Sequence, residues 1–518
     1  MAARPAYRII LVEILTTYRV TVNFADKLYT ADTVRELDRR AIEDHGIPGI
    51  VLMKRAGAVA FAELLTRWPN PDRITILCGG GNNGGDGYII AALARQRGLA
   101  TTVLQLVDAE KLQGDARRAW QFACQEGVPM RPFKGALDSA GGPIVDALLG
   151  TGIKGDVRAS YKQAIAAINA SGSPVLAVDI PSGLCSDTGA VRGAAVIADV
   201  TVTFIGVKSG LLTGRGPALV GDLVYRDLDV PPQVFDDVPV AAQRLDLLSL
   251  MADLPQRERD AHKGKFGHVL VIGGDQGFGG AAAMAAEAAI RVGAGLVGVA
   301  TRASHVPALL ARRPELMVKA VESGQQLEPL LEAPTVLVVG PGLGRSTWSE
   351  QVLQQAIKSG IPMVVDADAL NLLSEGVIGA GADSSAWVLT PHPGEAARLL
   401  NISNADVQRD RLAACRSIQQ AYAGTVLLKG AGTLICSGDE TLSLCLYGNP
   451  GMATGGMGDV LAGIIGGLLA QGLSGSKATE LGACLHGAAA DLVAEEFGER
   501  GMMATDLLAP LQRLVNGK

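Results

Sequence analysis

Short apolar runs, each closed by glycine or a polar turn, recur along most of this chain and alternate with stretches of helical period. Residues 73–78, 101–107, 144–149, 175–180 and 200–205 are such runs, and most are apolar throughout. A strand buried on one face alternates apolar and polar positions, whereas a strand covered on both faces does not. The pattern therefore predicts parallel strands between two layers of helices, a doubly wound sheet complete by about residue 230. A second series at 268–272, 296–300, 336–339, 363–365, 388–390 and 426–428 has the same character, with no repeat beyond shared class. Between them, Pro231-Pro232 and an irregular acidic stretch predict a linker or entry helix over 231–254. The expected division is a variable extension at 1–27, a domain at 28–230 and a second at 255–518. A helical pattern is expected from Leu28, where Thr30-Ala31-Asp32-Thr33 offers a cap before Val34, Leu37 and Ala41.

Composition agrees with two cores. A chain of 518 residues is too long for one, and 48% apolar content with 65 glycines and 4% aromatics suits α/β folding. The net charge of −6 argues against a nucleic-acid or membrane partner, which would want a basic face. The longest apolar runs, such as 460–470, fall short of the roughly 18 residues a membrane span needs. Seven scattered cysteines contain no C-x-x-C pair, so they read as small buried hydrophobes in a cytoplasmic protein.

Candidate chemistry lies where strands end. The first run passes into Gly79-Gly80-Gly81-Asn82-Asn83-Gly84-Gly85-Asp86-Gly87, with a helix expected to open at Tyr88. Strand, glycine loop and helix N-terminus can cradle a pyrophosphate, and they can also be a tight structural turn. Asp146 and Asp179 lie at the ends of apolar strands, where a carboxylate is costly unless paired, hydrogen-bonded or beside a cation. Each alone is read equally well as a structural aspartate; together they suggest an oxygen-lined cation site and an acid/base.

In the second half, Gly455-Gly456-Met457-Gly458-Asp459 precedes a buried helical run. Such a turn admits an anion to backbone N–H groups and places an acid to accept a hydroxyl proton during phosphoryl transfer. Taken alone, it is equally a glycine turn with Asp459 as helix cap. Three more strand-end loops, Gly340-Pro341-Gly342-Leu343-Gly344, Thr390-Pro391-His392-Pro393-Gly394-Glu395 and Lys429-Gly430-Ala431-Gly432-Thr433, point to one shared cleft.

These loops, with His262-Lys263-Gly264, resemble in their order the NAD(P)H-hydrate dehydratase family over nearly all of 255–518. The resemblance implies a ribokinase-like α/β domain acting on NADHX or NADPHX, dihydronicotinamides carrying water across the C5–C6 bond. It implies Asp459 as the base on the C6 hydroxyl. It also implies Lys429, Gly430, Ala431, Gly432, Thr433 and Gly458 for the nucleotide, and Ala281, Gly342, Gly344, His392 and Asp459 around the hydrate. ADP with magnesium is the expected nucleotide, giving AMP and phosphate. The first half is similar to the NAD(P)H-hydrate epimerase family over 28–230, which implies a Rossmann-like three-layer α/β/α domain. That likeness implies potassium near Asn83, Asp146 and Ser182. It places the hydrate against Asn82, Asn83, Gly84, Gly85, Asp86, Gly150, Thr151, Gly152, Ile153, Lys154, Gly155, Asp156, Tyr161 and Asp179, with Asp179 moving the proton. The expectation is a bifunctional repair enzyme, and a homo-oligomer. The competing readings are a ribokinase-like small-molecule kinase with an unrelated N-terminal domain, and an N-terminal binding module without chemistry.

Overall fold

The computed structural model describes residues 26–517 apart from 138–140, 154, 378–382 and 439–440. Among them, 26–243 form one compact unit and 244–517 another. The extension expected at 1–27 lies outside the described residues except for Asp26 and Lys27.

The N-terminal unit contains β1 (Lys27–Tyr29), β2 (Ile74–Cys78), β3 (Thr101–Gln105), β4 (Met130–Pro132), β5 (Ile144–Ala147), β6 (Val175–Val178), β7 (Val200–Phe204), β8 (Val207–Lys208) and β9 (Asp222–Arg226). Seven of these form one sheet in the order β4-β3-β2-β5-β6-β7-β9, and every pairing in it is parallel. The five expected runs are its centre, and β5, β6 and β7 are buried along their whole length. Edge strands β4 and β9 escape that reasoning because they carry exposed polar residues. Chain order reverses between β2 and β5, the point where such sheets open a crevice at the carboxyl ends of the strands.

Leu28 is a correction: it lies in β1, which pairs with β8 and with β10 (Ala242–Arg244). The helix begins at Ala31, where Thr30 and Thr33 form a reciprocal capping box. The expected linker holds a short turn at Pro232–Phe235, β10 and the helix Leu247–Met251.

The C-terminal unit has β11 (His268–Ile272), β12 (Leu296–Thr301), β13 (Met317–Ala320), β14 (Val336–Val339), β15 (Met363–Val365), β16 (Trp387–Leu389), β17 (Thr425–Leu428), β18 (Thr433–Cys436) and β19 (Leu442–Cys445). They run β13-β12-β11-β14-β15-β16-β17-β18-β19, parallel as far as β17 and antiparallel beyond. Here the reversal lies between β11 and β14, and backbone bonds from Gly274 to Pro341 and from Asp275 to Gly342 stitch their loops together. The helix Met457–Ala470 is almost wholly buried. It presses on the helix Gly279–Val292 so closely that a Cβ on Gly463 would sit 2.0 Å from the Ala285 carbonyl oxygen.

All seven cysteines are free thiols, and six are buried; Cys124 is exposed, against expectation. Among the described residues no helix is long and apolar enough to cross a membrane.

Candidate active sites

In the N-terminal unit the helix opens at Asn82, not at Tyr88, so the polar residues read as a loop occupy its first turns. The glycines explain the difference. A Cβ on Gly84 would lie 2.2 Å from the Gly79 carbonyl oxygen, and one on Gly87 would lie 2.6 Å from the Ala147 Cβ. Gly84 and Gly87 thus let the helix settle onto the sheet, and Gly81, with open space around it, caps the start.

That packing sets the helix N-terminus over the β2–β5 reversal, beside a cavity of 660 Å³. Asn82, Asn83, Asp86, Gly150, Thr151, Gly152, Ile153, Asp156, Tyr161 and Asp179 all line it, as the resemblance implied. Gly84 and Gly85 are buried in helix packing and do not, nor does Gly155, and Lys154 lies outside the described residues.

Behind the cavity wall, Ser182 donates from Oγ to Asp146 Oδ1 at 2.6 Å and from its backbone to Oδ2 at 2.8 Å. The Leu149 N–H donates to Ser182 Oγ at 2.8 Å. Burial pushes the Asp146 carboxyl up to about 6 despite these bonds. Asn83 faces Gly150, and both polar atoms of its buried amide lack a hydrogen-bond partner. A buried amide with nothing to bind is costly, so this corner suits a ligand that takes an amide oxygen.

Asp179 sits just past β6 with left-handed φ of 67°. Its Oδ1 accepts from the ammonium of Lys208, from Thr203 Oγ1 at 3.3 Å and from the Phe204 N–H at 3.3 Å. Asp86 and Asp38 face the same pair. Burial pushes Asp86 well above the usual carboxylate range and Asp38 up to about 6, each against the pull of Lys208. Sequence reasoning missed Asp38 and Lys208. Neither belongs to a glycine-rich turn, and Asp38 lies in the ordinary amphipathic helix Ala31–Arg39.

In the C-terminal unit Gly456, at φ 92°, caps the helix, so Asp459 is its third residue and the reading as helix cap fails. Burial, then the neighbouring Asp366, pushes the Asp459 carboxyl up to about 7, while Lys429 opposes. The Lys429 ammonium bonds Asp366 Oδ1 at 2.7 Å and lies 3.9 Å from Glu395 Oε2. A Cβ on Gly458 would stand 3.2 Å from Lys429 Nζ and 3.4 Å from Asp366 Oδ2, so glycine keeps that approach open. Asp366 Oδ2 is buried without a partner.

His392 caps the helix Pro393–Leu400, its Nδ1 accepting from the Gly394 and Glu395 N–H groups. Burial lowers its basicity, and Lys429 and Arg398 lower it further. Burial likewise pushes Glu395 up to about 7. A Cβ on Gly342 would touch Ala281 at 3.0 Å, and the Gly344 N–H donates to Asp368 at 2.8 Å. Asp368 in turn raises Asp459. The four strand-end loops are thus joined through Asp366, Asp368 and Lys429. The two aspartates were absent from the expected site because no glycine pattern carries Asp366 or Asp368, while Glu395 lay in one of the expected loops without a role assigned to it. Beneath the loop at 429–433 the buried Arg411 guanidinium donates to the Lys429 carbonyl at 3.2 Å. His262, Lys263 and Gly264 lie on an exposed turn.

Comparison with known proteins places both units. The profile of the family described as NAD(P)H-hydrate dehydratase matches residues 269–513, and that described as YjeF-related protein N-terminus matches residues 49–210. The bifunctional NAD(P)H-hydrate repair enzyme of Coxiella burnetii is 50% identical over 489 residues, covering 94% of this chain and 99% of its own. The enzyme of that name from Escherichia coli is 43% identical over 495 residues, with 96% and 95% covered. A ribokinase-like superfamily protein from Enterococcus faecalis, solved by crystallography, is 33% identical with a TM-score of 0.50. That match covers 53% of this chain and 96% of the other.

Proposed function

Since the chain belongs to the bifunctional NAD(P)H-hydrate repair enzymes, we propose that its two carboxylate sites divide the work, the N-terminal one epimerising the hydrate and the C-terminal one dehydrating it. The observation that carries the division is that each unit gathers its own set of carboxylates at the carboxyl ends of its own parallel strands.

In the C-terminal site the task is to remove a poor leaving group. Hydroxide leaves badly, the pKa of water being about 15.7. Asp459 takes the proton of the C6 hydroxyl as that oxygen attacks the terminal phosphorus of ADP, releasing AMP. The ring-nitrogen lone pair then expels phosphate to leave an iminium at C6, and loss of a C5 proton to solvent or the departing phosphate restores the C5–C6 double bond of the dihydronicotinamide. The proposed nucleotide cradle is Lys429, Gly430, Ala431, Gly432, Thr433 and Gly458, with Lys429 held against Asp366. Ala281, Gly342, Gly344 and His392 are the proposed walls for the hydrate. Magnesium entering with ADP neutralises phosphate charge.

In the N-terminal site, Asp179 exchanges the proton that lets the C6 configuration invert. The unpartnered Asn83 amide, with Ser182 and Asp146 as the further proposed ligands, suits potassium, a cation that takes neutral and anionic oxygen donors. Bound there, potassium supplies positive charge beside the helix start.

The test is to give the purified chain a mixture of R and S hydrates and follow the near-ultraviolet dihydronicotinamide band. ADP and ATP are supplied separately, with and without potassium. Full recovery with ADP, its R-dependent phase slowed without potassium, is expected. Recovery stopping at the S fraction removes the epimerase, and a stable phosphorylated product without the band favours a simple kinase.

A further inference from the structure

We propose that Lys208 is a positioning residue of the N-terminal site: its buried ammonium pairs with Asp179 and turns that carboxylate's second oxygen toward the hydrate. This rests on the epimerase reading above and adds to it a residue that the sequence motifs did not single out.

Lys208 is only 1% exposed, and it ends the two-residue strand β8. Its three N–H donors have three acceptors: Asp179 Oδ1, Thr203 Oγ1 at 3.1 Å and the Phe204 carbonyl at 3.2 Å. The ammonium is therefore saturated by protein and has no donor left for substrate. It acts through Asp179.

The pattern at Asp179 is complementary. All its side-chain hydrogen bonds land on Oδ1. Its Oδ2 remains for whatever enters the cavity that Asp179 lines. The backbone is bent to make this meeting possible. Ile205, β-branched and left-handed at φ 58°, turns the chain from β7 into β8, and Tyr225 Oη donates to its carbonyl at 2.7 Å. A β-branched residue at positive φ is a rare outlier, and Asp179 is left-handed as well. Two left-handed non-glycine residues lining one cavity are strain that the surrounding fold must hold, a pattern that gathers at functional sites.

The carboxyl groups facing the pair come from two helices. Asp38 projects from the helix Ala31–Arg39 and Asp86 from the helix Asn82–Gln96. Arg35, Asp115, Asp156, Arg158 and Tyr161 line the same cavity. Lys208 opposes the burial that raises both Asp38 and Asp86. Without it, Asp38 and Asp86 lose the cation that favours their anionic forms, and those forms shift to higher pH.

The experiment uses the full-length chain with Lys208→Met. R-hydrate conversion is coupled to the chain's own dehydration across pH 6 to 9, and S-hydrate dehydration serves as an internal control. The expected result is kcat for R-hydrate lowered at least about tenfold at pH 7, with KM little changed. The ascending pH limb moves to higher pH, and S-hydrate turnover is unaffected. Lys208→Arg, which keeps the charge and alters donor geometry, restores part of kcat with the pH limb near its wild-type position. An undiminished kcat with an unmoved limb overturns the proposal, as does an equal loss at every pH that Arg does not relieve. If Lys208→Met unfolds its unit, Lys208→Arg carries the test, and wild-type kcat in that variant overturns it. Wild-type chain that never consumes R-hydrate would instead sink the epimerase reading itself.

Discussion

Replacing Asp459 with Asn should stabilise the C-terminal unit while abolishing its chemistry, and both effects have one cause. Burial and Asp366 raise the Asp459 carboxyl from an ordinary 3.8 to about 7. Between those values the unfolded chain has lost the proton and the folded chain retains it. The folded state then binds more protons, so stability falls as pH climbs through that window and is lowest above about 7. Three pH units at about 1.4 kcal/mol each give roughly 4 kcal/mol as the full cost of ionising this carboxyl in place. An amide of the same shape avoids that cost but loses the attraction of Lys429, so a gain of about 2–4 kcal/mol at pH 8 is expected, shrinking toward pH 4. Urea unfolding can be read from Trp348 and Trp387, both buried in this unit, after Trp68 and Trp120 are changed to Phe. The same variant should lose dehydration by at least about a hundredfold, while wild-type activity should fall near tenfold per pH unit below 7. No gain in stability at pH 8, or an equal gain at pH 4, would refute the buried-charge argument. A surviving dehydratase would refute the assignment of the base.

Asp179→Asn should leave R-hydrate unused, after subtraction of spontaneous epimerisation, while S-hydrate is dehydrated normally; prompt use of R would count against Asp179. The same change strips a buried lysine of its counter-charge, a loss of up to about 3–5 kcal/mol, so the N-terminal unit should also melt earlier. Gly84→Ala forces a Cβ to within 2.2 Å of a backbone oxygen and should destabilise that unit by at least about 1–3 kcal/mol. Thermal unfolding beside an S-hydrate assay would show it, and an unchanged N-terminal melt would mean that the helix does not rest on Gly79.

Reading the strands needed no structure. Unbroken apolar runs such as 175–178 and 336–339 are buried on both faces, and only a sheet with helices on both sides achieves that. The loops that end them were legible too, because glycine at fixed places beside Asp459, Lys429 and Asn83 is a local signal. What the glycines do was not always local. Gly84 and Gly87 look like a phosphate loop in sequence, and only the position of β2 and β5 shows that they make room for a packed helix. Lys208 and Asp38, or Asp366 and Asp368, carry no pattern at all. Their part in the sites comes from pairings between residues far apart in the chain, such as Lys429 with Asp366 and Lys208 with Asp179. A sequence can specify which residues carry charge. Burial and distance decide what those charges are worth, and both exist only once the strands are in order.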